Sequence, residues 1–302
     1  MIQPKLLQAG DTVAIVSPAK FIPQDSLLSA VQILQSWGLQ VRIGLSVYQR
    51  HFQMAGTDAQ RLADLQEAMD DPKVKAIFCS RGGYGSGRLL DALQTKYLLA
   101  NPKWLIGFSD ITFLHAFWHA HKVMSIHATM PLLMNPTAPE ATIQGLKEVL
   151  FTGNANHQWA NSASNRLGSA QGVLWGGNLS IISHLLGTPY QPDFENIILF
   201  IEEVSEYKYR IDRLMVHLKM AGVLARIKGL VVGQFTDTKD NPQVFGASVE
   251  EIIQEHCASY AFPIAFGFEA GHEALHLPLV FGKSCNLEVS STQSSLKYES
   301  SR

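Results

Sequence analysis

The stretch Trp104-Leu105-Ile106-Gly107-Phe108-Ser109-Asp110-Ile111-Thr112-Phe113 begins as an apolar strand and passes directly into a segment with helical spacing. A serine stands at the join. Working outward, similar short β-branched runs at residues 12–16, 40–45 and 75–80 alternate with amphipathic stretches in which Leu27, Val31 and Leu34, then Leu62, Leu65 and Met69, share helical faces. This alternation predicts βαβ units and a doubly wound, mostly parallel sheet over residues 1–150. Asp25 or Ser26 is expected to cap the first helix and Gly38 to end it, while Thr57 with Gln60 forms a capping box for the second.

Residues 151–170 are rich in Asn, Ser and Gly and poor in large apolar side chains, which predicts a linker. Residues 171–302 are again α/β, with strands at 197–201, 230–235 and 263–268, helices at 210–221 and 248–260, and a β-rich end. A chain of 302 residues is long enough for about two cores.

Composition limits the function. Apolar residues make up 46% and charged residues 17%, an ordinary globular balance, and 24 basic against 26 acidic residues give a net charge of −2. With no Lys/Arg-rich run, nucleic acid is not an expected partner. The three cysteines Cys79, Cys257 and Cys285 are unpatterned, as free thiols in a reducing compartment would be. No apolar run approaches the ~18 residues of a membrane span, so a cytoplasmic protein with no membrane partner is expected.

Four segments carry candidate chemistry. Ser109, at a strand-to-helix join, reads as a nucleophile or simply as an N-cap, since Ile111 breaks the G-x-S-x-G pattern. Ser80-Arg81-Gly82-Gly83-Tyr84-Gly85-Ser86-Gly87 lets backbone N–H groups approach an anion, although it fits neither G-x-G-x-x-G nor a P-loop. Glu202, Glu203 and Glu206 close an apolar strand and read either as a solvated turn or as carboxylates that orient a histidine or bind a cation. His272-Glu273-Ala274-Leu275-His276 matches H-E-x-x-H, but Gly271 and Pro278 argue against the helix that a zinc peptidase needs.

In order and spacing, these segments resemble the LD-carboxypeptidase family of serine peptidases, which includes muramoyltetrapeptide carboxypeptidases and microcin C immunity proteins. The resemblance rests on Ala14-Ile15-Val16-Ser17-Pro18-Ala19, the loop at 80–85, Gly107-Phe108-Ser109-Asp110, Leu174-Trp175-Gly176-Gly177-Asn178-Leu179 followed by Gly187-Thr188-Pro189, Ile201-Glu202-Glu203 followed by Arg210-Ile211-Asp212-Arg213, and Gly271-His272-Glu273. It implies a Ser109–Glu202–His272 triad at a domain interface, with Gly83 and Asp110 backbone N–H groups as the oxyanion hole. It implies no cofactor and no metal.

The implied reaction removes the terminal D-Ala from muropeptide tetrapeptides, at the L,D bond after meso-diaminopimelate, during peptidoglycan recycling by a homodimer. Arg81 is expected to meet the terminal carboxylate or to form an ion pair that supports its loop. Glu206 is expected to meet the substrate ammonium, and Tyr84, Trp175 and Asn178 to line the cleft. The alternatives are an immunity-type serine hydrolase of aminoacyl-nucleotide conjugates, a zinc metallopeptidase using His272 and His276, and a muropeptide-binding protein without turnover.

Overall fold

The structure, a computed structural model, describes residues 1–299. Its elements follow one another as β1 (Thr12–Val16), α1 (Leu28–Ser36), β2 (Gln40–Ile43), α2 (Asp58–Asp70), β3 (Val74–Cys79), α3 (Lys96–Ala100), β4 (Trp104–Gly107), α4 (Thr112–Ala120), β5 (Ser125–His127) and α5 (Glu140–Thr152). The chain continues with β6 (His157–Ala160), β7 (Gly168–Asn178), α6 (Leu179–Leu185), β8 (Ile197–Val204), α7 (Lys208–Met220), α8 (Val223–Arg226), β9 (Gly229–Thr236), α9 (Val249–Cys257) and β10 (Ile264–Ala265). It ends with β11 (Leu279–Phe281), β12 (Ser284–Val289) and β13 (Gln293–Tyr298). No helix among the described residues is long and apolar enough to cross a membrane.

The chain divides into two compact units, Met1–Asn154 with Leu277–Gly282, and Ala155–His276 with the remainder. The first unit holds a six-stranded sheet of order β11-β5-β4-β3-β1-β2, parallel except where β11 runs against β5. Its β1, β3 and β4 are buried almost throughout, as strands covered on both faces must be. Phe281 of β11 closes over the rings of His115 and His127, with centroids 5.3 and 5.4 Å away.

Local signals explain much of this unit. Thr57 and Gln60 form the expected capping box of α2, and Gly38, at φ +83°, follows the end of α1. Neither Asp25 nor Ser26 caps α1: a 3₁₀ turn at Gln24–Leu27 comes first, and the Ser26 hydroxyl donates back to the Pro23 carbonyl at 2.6 Å.

The second unit holds a seven-stranded sheet of order β10-β9-β8-β7-β12-β13-β6, parallel across β7 to β10 and antiparallel beyond. The stretch expected as a linker contains β6, which pairs with β13 although it lacks strand composition. Trp159 supplies its one buried anchor, donating its indole N–H to the Phe266 carbonyl at 2.9 Å. The strand expected at 263–268 is only the two residues of β10. Beyond it, residues 266–278 run without regular structure and carry His272.

Candidate active site

In the first unit the site grows from β4. Ser109 follows that strand at φ +64°, a left-handed conformation that L-residues with a Cβ avoid, and opens a 3₁₀ turn leading into α4. Such strain lifts the hydroxyl out of the strand direction at the carboxyl edge of the sheet, as at a nucleophile elbow. Beneath the turn, the neutral ring of His115 holds β4 in place. Nε2 lies 2.9 Å from the Gly107 carbonyl, which can only accept, and Nδ1 lies 2.8 Å from the Ser125 hydroxyl. Burial pushes the His115 pKa down to about 4.

The glycine loop lies against this turn. A Cβ on Gly82 would stand 3.1 Å from the Ser109 Cβ and 3.3 Å from the Asp110 amide nitrogen, so a side chain there would crowd the turn. Gly82 therefore touches the Ser109 turn directly. Gly83, at φ +110°, follows it and is overlaid by the Lys20 side chain. Asp110 is buried; its carboxylate accepts from the Ser86 N–H at 2.9 Å, and its carbonyl from the Ser86 hydroxyl at 2.7 Å. Its N–H heads a helical turn, where such groups lack intrahelical partners. The buried guanidinium of Arg61 props the loop by donating to the Gly85 carbonyl at 3.0 Å and to the Pro18 carbonyl. No pattern in the sequence marks Arg61 for this task.

Arg81 is half-buried, with Nη1 donating weakly to the Phe21 carbonyl at 3.4 Å and Nε buried without a hydrogen-bond partner. No ion pair supports it among the described residues. Tyr84 is half exposed on the same loop.

In the second unit the three glutamates that end β8 have three different environments. Glu202 is fully buried, and its Oε2 lies 2.8 Å from Nδ1 of His272. Burial raises its pKa, while His272 and Asn178 beside it favour the charged form. Glu203 is a structural hub: it accepts from the Asn178 amide at 2.8 Å, the Val204 N–H at 3.0 Å, and the Ser180 N–H and hydroxyl at 2.9 and 2.6 Å. Glu206 is only part-buried and accepts from the Tyr207 N–H at 3.0 Å, with the Arg210 guanidinium 3.6 Å away. It lines a cavity of about 520 Å³ together with Arg210, Arg213, His184 and His217.

Two expected cleft residues are committed elsewhere. Trp175 is wholly buried in β7 and meets Phe194 edge to face at 6.0 Å, so it packs the interior and presents no open wall. Asn178 is also buried; it caps α6 by accepting from the Ile181 N–H at 3.2 Å, and its amide donates to Glu203.

The H-E-x-x-H segment is not helical, so its two histidines do not stand one turn apart on a helix face. A second cavity, of about 500 Å³, opens at the carboxyl ends of β9 and β10. It is lined by Gln234, Thr236, Phe266, Glu269 and Glu273 among others.

Comparison with known proteins matches residues 13–128 to the LD-carboxypeptidase N-terminal domain and residues 171–287 to the LD-carboxypeptidase C-terminal domain. The chain is 31% identical to the murein tetrapeptide carboxypeptidase of Pseudomonas aeruginosa, over 91% of this chain and 92% of that protein. It superposes on the crystal structure of muramoyltetrapeptide carboxypeptidase from Oxalobacter formigenes with a TM-score of 0.89 and 28% identity, covering 96% of this chain and 99% of that one. A microcin C7 self-immunity protein of Escherichia coli is 25% identical, with 91% and 90% covered.

Proposed function

The chain belongs to the LD-carboxypeptidase family, and on that premise we propose that it is a serine peptidase that removes the terminal D-Ala from muropeptide tetrapeptides. The observation that carries this reading is the bond from His272 to a fully buried carboxylate, Glu202. A donor Nδ1–H held there fixes the tautomer and leaves Nε2 as the base. Nε2 takes the proton of the Ser109 hydroxyl as Oγ attacks the carbonyl of the diaminopimelyl L-centre. The oxyanion is met by the N–H groups of Asp110 and Gly83. The imidazolium returns the proton to the departing D-Ala amine, and water, activated by the same base, releases the tripeptide from Ser109.

Arg81, with its unpartnered Nε, is the donor for the terminal carboxylate, and Tyr84 flanks the same loop. Glu206 meets the ammonium at the far end of the diaminopimelate side chain. That end is zwitterionic, and Arg210 and Arg213 in the same cavity answer its carboxylate. The protein so read is a cytoplasmic homodimer in peptidoglycan recycling, and its three buried free thiols are consistent with a reducing compartment.

The same arginines favour a second reading, hydrolysis of an acidic aminoacyl-nucleotide conjugate as in the immunity branch. Mass spectrometry of UDP-muramoyl tetrapeptide incubated with wild type and Ser109→Ala, with and without EDTA, tests the proposal. It expects loss of one D-Ala by wild type alone, unaffected by EDTA. Cleavage by Ser109→Ala, or cleavage abolished by EDTA, overturns it; cleavage of only the nucleotide conjugate establishes the second reading.

A further inference from the structure

His272 stands on a loop that belongs to neither helix nor sheet, yet its Nδ1 lies within hydrogen-bond distance of Glu202. Two side chains outside that pair hold the loop. β9 carries a bulge opposite β8: Ile201 pairs with Val232 and Glu203 with Phe235, so one extra residue is accommodated at Gly233-Gln234. There the Gln234 N–H donates to the Ala270 carbonyl at 2.9 Å. Its side chain reaches into the loop, accepting from the Glu273 N–H at 3.1 Å and donating to the Leu275 carbonyl at 3.1 Å. From the far end His276 turns back, with Nδ1 2.9 Å from the Gly271 carbonyl. A carbonyl only accepts, so the proton sits on Nδ1.

The two residues that flank His272 are thus each tied down, Gly271 by His276 and Glu273 by Gln234. A Cβ on Gly271, at φ +151°, would lie 2.8 Å from the Gln234 Cβ, so the loop is seated directly on the bulge. His276 is 2% exposed, and burial pushes its pKa down to about 3, which keeps the ring neutral under ordinary conditions. The resemblance to a zinc motif therefore has a different origin: its second histidine staples the first.

We propose that Gln234 and His276 are positioning residues that fix the loop at 271–276, so that the His272 imidazole stays aligned with Glu202. This inference rests on the reading of His272 as the base. A neutral buried histidine that merely filled space would have no reason to be matched in its donor position, whereas a staple must be. The test compares Gln234→Leu, His276→Phe, His276→Gln and His276→Asn. Asparagine can place an amide N–H where Nδ1 stands; glutamine places its amide nearer the position of Nε2.

Gln234→Leu and His276→Phe are expected to lower kcat roughly 10- to 100-fold with KM changed less than about twofold, as a misplaced base would. His276→Asn should recover most of the rate and His276→Gln should not. In parallel, the low-field proton NMR signal of the His272 Nδ1–H, which needs no turnover, should weaken or vanish in Gln234→Leu and His276→Phe and persist in His276→Asn. The inference is overturned if folded Gln234→Leu and His276→Phe keep both the rate and the signal, or if Gln234→Leu raises KM alone. Should His276→Phe fail to fold, the Asn and Gln variants decide. Failure of the underlying reading looks different: His272→Ala would then retain activity, while the NMR signal still reports whether the loop has moved.

Discussion

The two units prepare their chemical groups by opposite means. Around Ser109 the preparation is in the backbone: a left-handed φ of +64°, a glycine where a Cβ would stand 3.1 Å from the serine, and a helical turn heading away. Around Glu202 it is in the side chains: a carboxylate removed from water, a histidine bonded to it at 2.8 Å, and a neighbouring glutamate that takes up the surrounding donors. A nucleophile, the role proposed for Ser109, must be presented, and strain presents it. A base must be oriented and its cation stabilised, which calls for a fixed charge in a low-dielectric setting.

The sharpest way to break the comparison is at Ser109, the proposed nucleophile. Ser109→Ala should lower D-Ala release roughly 10⁴-fold or more. Ser109→Gly should be as inactive but more stable than Ser109→Ala by about 1 kcal/mol in thermal unfolding, because only glycine relaxes at that φ. Equal stability of the two would remove strain from the account.

Next in size is Glu202→Gln, expected to lower kcat roughly 10³- to 10⁴-fold by loosening the tautomer and losing the charge. Its effect on stability should run the other way. Burial raises the native pKa of Glu202 above its ordinary value of 4.5, so the native state holds the proton more tightly than the unfolded chain. This contribution is present below the unfolded pKa and is lost as pH rises through the native one. At neutral pH, therefore, Glu202→Gln should melt no lower than wild type, and a large drop would show that the ionised carboxylate stabilises the fold.

Gly82→Ala should have a smaller effect, on the order of 10- to 100-fold in kcat, because the new methyl crowds the Asp110 N–H proposed to meet the oxyanion. KM should change little, and steady-state kinetics separate the two.

The smallest effect concerns acid stability. His115 has a pKa lowered by burial from 6.5 to about 4, so the unfolded chain takes up a proton that the native state refuses. Stability is lost as pH falls from about 6.5 toward 4. His115→Gln keeps a donor for the Gly107 carbonyl and should show a shallower fall in melting temperature over that range. An unchanged slope would place the acid sensitivity elsewhere.

Much of this was legible in the sequence because it is local. β1, β3 and β4 are continuous apolar runs, and the capping box of α2 is a four-residue pattern. The structure bonds Glu202 to His272 and lays Gly82 against the turn of Ser109 and Asp110. What escaped depends on partners distant in sequence. β6 has polar composition and exists because β13 offers it an edge. Trp175 reads the same whether it faces a cleft or a core. Glu202, Glu203 and Glu206 lie within five residues, and only burial and the approach of His272, Ser180 and Arg210 give them separate tasks. Gln234 carries no pattern at all, since the bulge that aims it is a mismatch between two strands.

The short strand β11 also bears on how the protein is made. It returns to the first unit more than 120 residues after that unit's own chain has ended, and it supplies the outer neighbour of β5. A ribosome adding about 5–20 residues per second needs on the order of ten seconds to cover that interval. Throughout it, the outer edge of β5 and the rings of His115 and His127 await Phe281. The amino-terminal unit can therefore collapse early but cannot be completed during its own translation. The nascent chain carries an open sheet edge, a surface that invites chaperone binding or aggregation, until residues 279–281 have emerged.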